Sequence, residues 1–500
     1  MDALLQGAQL VLQPQTLIAI FLASIFGLLV GAIPGLTATM AMALLVPVTF
    51  FLEPITAVGA MVACSAMAIF AGDVPGTLMR MPGTPASAAY TDEAYAMTRN
   101  GQASLALGAN VVFSAIGGIF GTIVLIIAAP ALAELAVKFS SFEYFWLAML
   151  GITCAAFIAA ADPLKGVVSL CLGLLVATVG INNPAGQPRF TFGSTDLVGG
   201  IDFIAAMIGL FAIAEVLRFA GSARADLATP PVQGGRIFAG VGALAARYWP
   251  QALRGNAVGT VIGSLPGAGA DVAAWIAYSV SRRFSRTPKK FGTGHPEGIV
   301  ESTSANNAAL GGAWIPSLVF GIPGDTITAV VIGVLFMKGL NPGPTLFIKH
   351  PESMYAIFLV FIVANLLMIP LGWALIKAAR RILSVPQGVL MPLILLFCTV
   401  GAFAATNSMF GVVTMFAFGV LGLLMERHGF PVAPAVLAMV LGPLLEESFV
   451  NSMIKTDGEL LGLVQRPIAA GLAAVCVVLW LLPLIKSLRR RDGARAPALG

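Results

Sequence analysis

The sequence predicts an all-α polytopic membrane protein, and three observations carry that expectation. Hydrophobic residues make up 58% of the 500-residue chain and charged residues only 10%, against about 25% charged in an ordinary soluble protein. Apolar runs of about the ~20 residues needed to cross a bilayer recur from Thr16 to Ile485, and the mean hydropathy is +0.92. Several of these runs are cut by Pro-Gly pairs that recur in the same order in both halves of the chain. The net charge of +5 implies no nucleic-acid partner, because excess Lys and Arg accumulate in the cytoplasmic loops of membrane proteins.

Taken in order, the predicted segments begin with Thr16–Ile33, Leu36–Leu52, Ile55–Gly72, Ala103–Ala129, Tyr144–Ala161, Leu164–Ile181 and Leu197–Phe219. They continue with the interrupted Asn256–Ser281 and Asn306–Phe336, then Met354–Lys377, Val389–Ala405, Phe410–Met425, Val432–Leu445 and Ile468–Ile485. That is about 10 to 14 transmembrane or half-transmembrane helices. Residues 1–220 form a first membrane half and 256–466 a second, with a final transmembrane helix and basic tail in 467–500. The polar connection 221–255 contains Pro230-Pro231 and Gly234-Gly235, which argue for a loop with at most a short helix before Tyr248-Trp249-Pro250. Basic residues in that connection, in 282–290, after Lys377 and in the tail predict a cytoplasmic C-terminus. The N-terminus, without Lys or Arg before the first span, falls outside.

The sequence GAIPGLTA beginning at Gly31 recurs as GSLPGAGA beginning at Gly263, and PGTPASA from Pro82 as PGDTITA from Pro323. Each half thus has two Pro-Gly breaks, the signature of two repeats built on broken helices. Proline removes a backbone donor and glycine relaxes φ, so each pair ends one helix and starts another. Unpaired backbone groups cost several kcal/mol each in hydrocarbon, so such breaks survive only inside protein or beside a water-filled cavity. Matched interruptions in two halves mark the binding site of a secondary transporter, whereas one break alone reads as a packing kink.

The candidate residues follow from the breaks. The first half supplies Gly31, Pro34, Gly35, Thr37, Thr39, Pro82, Gly83 and Thr84; the second supplies Gly263, Ser264, Pro266, Gly267, Asp271, Pro323, Gly324, Asp325 and Thr326. Aligning the repeats sets Thr39 opposite Asp271 and Thr84 opposite Asp325. An acid in a membrane run fits cation coupling, and it equally fits the first turn of a half-helix, where it complements the dipole. Asn306 and Asn307 suit a helix start able to hydrogen-bond a carboxylate or ligate sodium. Arg80 reads as a partner for an anionic substrate or as a snorkelling side chain. Glu134, Lys138 and Glu143 read as a loop, Asn182-Asn183-Pro184 as an interfacial turn, and Glu446-Glu447 as an interfacial cap. The five cysteines lie in apolar runs without CxxC spacing, and the three histidines show no ligand spacing, so neither a metal site nor a resident cofactor is expected.

At these residues the sequence resembles the large membrane subunit of the tripartite tricarboxylate transporters (TctA type). The matching stretches are GAIPGLTATMAMALLVP (Gly31–Pro47), MPGTPASAAYTDEAYAMTRNGQASLALG (Met81–Gly108), Gly263–Asp271 and Glu301–Gly343. The segment Ser302-Thr303-Ser304 stands where the family would have more alanine and acid. The resemblance implies a bacterial inner-membrane permease, not an enzyme, importing carboxylates by sodium- or proton-coupled symport. It also implies two partners, a small four-span membrane subunit and a periplasmic solute-binding protein. A channel, or a scaffold subunit without its own substrate path, is the alternative. No GxxxxGK[ST] occurs, in keeping with transport that is not driven directly by ATP.

Overall fold

The computed structural model describes residues 2–157, 162–181, 184–221, 237–383 and 387–493. Within them the chain is helical. The helices are α1 (Asp2–Leu12), α2 (Pro14–Ala32), α3 (Ala38–Thr49), α4 (Pro54–Ala71), α5 (Asp73–Met79), α6 (Thr91–Arg99) and α7 (Ala103–Ala136). Next come α8 (Ser141–Phe157), α9 (Pro163–Ala177), α10 (Phe203–Ile208), α11 (Ala214–Ala220), α12 (Val241–Gly263), α13 (Gly269–Phe284) and α14 (Pro296–Phe320). The chain continues with α15 (Thr326–Met337), α16 (Pro344–Lys349), α17 (Pro351–Leu383), α18 (Gln387–Thr406), α19 (Met409–Arg427), α20 (Val432–Lys455) and α21 (Pro467–Gly493). Eight helical spans among the described residues are long and apolar enough to cross a membrane, so the protein is an all-α, multi-pass membrane protein.

The contacts divide the chain into two compact units, Met1–Val137 with Asp202–Arg427, and Lys138–Ile201 with His428–Gly500. The larger unit contains all four Pro-Gly breaks. Its helix directions follow from which residues meet. A β-carbon at Gly27 would lie 2.4 Å from the Cys64 carbonyl oxygen, and one at Gly31 2.4 Å from that of Ala68. Thr16 and Thr56, each in the first turn of its helix, share a hydrogen bond of 2.8 Å. Helices α2 and α4 are therefore parallel, and α3 between them returns. Twelve residues reach about 18 Å, so α2 and α3 form a hairpin whose tip is the first break.

The same construction occurs again. Gly259 meets the Ala305 carbonyl oxygen and Gly263 that of Ala309, each at 2.3 Å from a built β-carbon, so α12 and α14 are parallel and α13 returns between them. Gly117 on Ser304 and Gly121 on Ala308 make α7 parallel to α14. Val111 packs on Gly372 and Gly118 on Asn365, so α17 is antiparallel to α7. Gly59 on Val360 and Phe70 on Gly372 make α17 parallel to α4. It follows that α4 and α14 run in opposite directions.

These two helices are the centre of the unit. The apolar window of the span Pro54–Met79 is buried throughout, against 28% of the window in α18. In α14 every residue from Glu297 to Val319 is buried. Glu301 at its start is fully buried and held by Arg254 through two bonds of 2.6 Å. Between α10 and α11 the chain makes a π turn, Gly209–Ile213, where Gly209 sits against the Met415 carbonyl of α19.

The smaller unit packs α8, α9, α20 and α21. Gly173 of α9 lies on the Ala435 carbonyl of α20, and Trp146 Nε1 donates to the Leu463 carbonyl at 2.9 Å. Two of its acids are paired. Arg189 makes bonds of 2.8 and 2.7 Å to Glu446, and Arg466 one of 3.0 Å to the buried Glu143.

Several expectations from sequence are corrected. Asn306 and Asn307 are not at a helix start but ten residues inside α14, which begins at Pro296. The polar 297–304 stretch, which leads up to that expected start, already belongs to the first turns of α14. The approach to the second half is α12, helical from Val241 through Pro250 to Gly263 and bent at Tyr248, where proline disfavours the preceding helical turn. Glu134 lies in α7 and Glu143 in the first turn of α8 rather than in a loop. Glu446 is mid-helix in α20, an arginine partner rather than a cap. Residues 182–183, 222–236 (with the Pro-Pro and Gly-Gly pairs) and 494–500 fall outside the described residues.

Candidate binding site at the helix breaks

The four breaks come together inside the larger unit. In the first, Gly35 adopts φ +91°, a left-handed turn that glycine makes without strain. Thr37 then caps α3 by accepting the Met40 N–H at 3.2 Å. In the third, Gly267 takes φ +80°, and its N–H donates to the Gly324 carbonyl of the fourth break at 2.7 Å. The second break folds back on its own span, with the Gly83 N–H donating to the Gly72 carbonyl at 3.0 Å. A β-carbon at Gly83 would lie 2.7 Å from Gly72 Cα, and one at Gly324 2.6 Å from Ala313 Cα.

Two hydrogen bonds join the halves at this point. Thr39 and Thr326 hydroxyls are 2.8 Å apart, and the Ala86 N–H donates to Asp271 Oδ1 at 3.1 Å. Asp325 is the N-cap of α15 in a reciprocal capping box with Thr328: its carboxylate accepts the Thr328 N–H at 2.8 Å, and its own N–H donates to Thr328 Oγ1 at 2.9 Å. Both acids therefore sit where the helix dipole favours negative charge. Among the described residues, neither enters an ion pair. Gly31 and Gly263 hold the two hairpins against their spans, and Pro34, Pro266 and Pro323 are buried.

Not every candidate joins the cluster. Ser264 donates to Val261 of its own helix at 2.8 Å, Pro82 is exposed, and Thr84 exchanges local bonds with Ser87. Asn307, buried in α14, has no partner for either side-chain polar atom among the described residues. Arg80, exposed, pairs with Asp92 at 2.9 Å rather than facing the breaks.

Asn306 belongs to a buried network behind the second break whose other members sequence reasoning missed. Asp73, 2% exposed, starts α5 directly after Gly72. Its Oδ1 accepts the Tyr90 hydroxyl, and Asn306 Nδ2 donates to that hydroxyl at 3.2 Å. The Asp73 carbonyl accepts from Thr77 at 2.7 Å, Thr77 accepts from Asn110 at 3.1 Å, and Asn110 accepts from Thr303 at 3.3 Å. Asp73 Oδ2 and Asn306 Oδ1 are buried without a hydrogen-bond partner among the described residues. The available signal was an acid two residues before Pro75-Gly76 in an apolar run; closing the span at Gly72 hid it. Glu215 was also missed: its carboxylate oxygen lies 3.3 Å from where a Gly35 β-carbon would be.

At one face of the unit, Glu93 gathers the loop after α13. It accepts the N–H groups of Gly292, Gly294 and His295, the last two at 2.8 Å, and the Tyr278 hydroxyl at 3.0 Å. Burial holds the His295 imidazole below its ordinary pKa, with Glu297 and Glu93 acting in the opposite sense. At the other face, the Lys338 ammonium donates to the carbonyls of Phe50 at 3.0 Å and Leu52 at 2.6 Å, joining the ends of α15 and α3. Its removal from water lowers the Lys338 pKa.

The family model described as the tripartite tricarboxylate transporter TctA family matches residues 17–437. An uncharacterized 52.8 kDa protein in the TAR-I ttuC' 3' region of Agrobacterium vitis is 34% identical over 487 residues, 97% of this chain and 96% of its own length. An uncharacterized protein in the TAR-II ttuC' 3' region of the same organism is 38% identical over 234 residues, 46% of this chain and 97% of its own. No solved structure matches.

Proposed function

The chain belongs to the tripartite tricarboxylate transporter TctA family, a family of transporter components, and from that premise we propose that it is the large permease subunit of a cation-coupled carboxylate importer. Its partners in this reading are a small four-span membrane subunit and a periplasmic solute-binding protein, in a bacterial inner membrane. The observation that carries the reading is the meeting of the four breaks, tied by Thr39 to Thr326 and by Ala86 to Asp271. Half-helix starts offer N–H groups and hydroxyls to substrate carboxylates, here from Gly35, Thr37, Thr39 and Thr326, with the Gly83 and Gly267 N–H groups already bonded to Gly72 and Gly324.

Charge supports symport over uniport. A carboxylate entering between Asp271 and Asp325 adds negative charge to a site whose bonded groups, among the described residues, include no lysine or arginine. Like charges about 4 Å apart repel by about 4 kcal/mol at a typical effective protein dielectric. A sodium ion or proton travelling with the substrate removes that repulsion. The opposed directions of α4 and α14, and the twofold use of the hairpin, support an inverted duplication of residues 1–220 and 256–466 joined by 221–255. Arg99, Arg254, Arg282, Arg283, Lys289 and Lys290 gather at the ends of α6, α13 and the start of α14. By the positive-inside rule that face is cytoplasmic, together with the C-terminus, and Lys338 is on the periplasmic face.

The test is uptake of labelled di- and tricarboxylates into vesicles that contain the chain with its small subunit, with purified binding protein added and sodium and proton gradients set independently. Saturable uptake that requires one gradient supports symport. Non-saturating flux indifferent to both would return the protein to the channel reading. Undiminished uptake when the large chain carries Gly267→Leu would leave it a scaffold.

A further inference from the structure

We propose that Asp73 holds the coupling cation, in a pocket it forms with Tyr90 and Asn306. The inference rests on the symport reading above and adds a site apart from Asp271 and Asp325. Those two acids already have work at helix starts: Asp325 accepts from Thr328 and Asp271 from Ala86. Asp73 has no backbone N–H partner and enters no ion pair among the described residues. A carboxylate this deep in a membrane protein is a functional group by default, and its partners decide what it recognises.

The hydrogen-bond directions decide it. Tyr90 has one hydroxyl proton, and it goes to Asp73 Oδ1. The Tyr90 oxygen then acts only as an acceptor, which fixes the Asn306 amide with Nδ2 toward it and turns Asn306 Oδ1 away. Two buried acceptor oxygens, Asp73 Oδ2 and Asn306 Oδ1, are left with no donor, on residues whose other atoms meet at one hydroxyl. Excess acceptors with one net negative charge are the ligand chemistry of a small cation. A proton satisfies the carboxylate alone, whereas sodium draws on both oxygens.

Placement connects this pocket to the transport site. Gly72, the residue before Asp73, accepts the Gly83 N–H of the second break. Tyr90 ends the Ser87–Ala89 turn, whose neighbour Ala86 donates to Asp271 in the other half. Neutralising Asp73 thus acts on both ends of the loop 83–90, which lies beside the proposed substrate site. Trp314, which follows Ala313 as Asp73 follows Gly72, provides no carboxylate in the opposite half. The corresponding position in the opposite half therefore supplies no second acid of this kind.

The experiment uses the complete three-component transporter in vesicles, with sodium varied at fixed pH and pH varied at fixed sodium. Asp73→Asn is expected to lose gradient-driven accumulation while still exchanging labelled for unlabelled carboxylate. Tyr90→Phe keeps the acid but removes its donor, which makes the carboxylate more basic. Its half-saturation is expected to shift to lower cation concentration in one arm only, and that arm identifies sodium or proton. Wild-type accumulation in Asp73→Asn overturns the proposal. If Asp73→Asn does not assemble, an unchanged half-saturation of Tyr90→Phe in both arms overturns it instead. Failure of the underlying symport reading is distinguishable, because wild-type vesicles would then show no gradient-dependent carboxylate uptake at all.

Discussion

Helices α4–α5 and α14 occupy corresponding places and could hardly differ more in chemistry. Both are central spans of nearly equal length, Pro54–Met79 and Pro296–Phe320, buried from Ile55 to Leu78 and from Glu297 to Val319. Each receives a glycine-bearing hairpin helix on one side, and each is touched by the Pro-Gly break that follows it, Gly83 on Gly72 and Gly324 on Ala313. Yet α4 is apolar with Asp73 just beyond its end, while α14 bears Ser302, Thr303, Ser304, Asn306 and Asn307 in its middle. The packing around the two is alike and their polarity is not. A symmetric framework can present the same cavity to both sides of a membrane, but only uneven polar groups give it a preferred ligand set, and the pairing of Asp73 with Asn306 draws one member from each half.

The largest effects should test the shared shape. Gly31→Ala and Gly263→Ala each place a methyl group within 2.4 Å of a carbonyl oxygen, an overpacking that costs about 1–3 kcal/mol. Thermal unfolding of the purified protein should fall by a similar amount in both; a defect confined to one variant would break the comparison. Gly267→Leu adds backbone strain of about 1–2 kcal/mol at the third break and should abolish uptake while membrane expression persists. Normal uptake would count heavily against the breaks as the site.

Smaller effects should expose the unequal polarity. Asn306→Ala removes a donor from Tyr90 and should cost about 1 kcal/mol with altered cation dependence of uptake. Ser65→Ala, on α4, removes only a bond to its own helix and should leave transport unchanged. Thr39→Val and Thr326→Val share one bond, so the double variant should lose no more stability than either single, with a coupling of about 1 kcal/mol. Asp325→Asn should cost little stability, because asparagine caps helices about as well as aspartate. A changed ion response in that variant would move Asp325 from capping to coupling and make the halves more unequal still.

Much of this architecture was legible because its signals are local. Pro34-Gly35, Pro82-Gly83, Pro266-Gly267 and Pro323-Gly324 each interrupt an apolar run, and backbone chemistry favours a break there, although Pro75-Gly76 stays helical within α5. The opposed direction of the second half was not legible, since a hairpin that enters and leaves on one side cannot be told from two crossings by hydropathy. The depth of Asn306 was hidden for a related reason: the polar residues ahead of it look like the approach to a helix start, and only burial against α7, α12 and α13 makes them part of a core helix. The acids Glu143 and Glu446 were misread because their counter-charges, Arg466 and Arg189, are hundreds of residues away in sequence.

The half-helices are fastened in couples, and the fastenings limit how the molecule changes shape. Helices α3 and α15 are joined at their starts by Thr39 and Thr326 and at their ends by Lys338. Helix α13 is bound to the segment 85–93 at three levels, through Asp271, through Trp275 to the Pro85 carbonyl at 3.2 Å, and through Tyr278. Displacing one member alone ruptures every rung of its ladder, whereas shifting the couple together ruptures none. Any piece that shifts without breaking these bonds thus takes helices from both halves of the chain, so severing one half from the other would part the two sides of every rung.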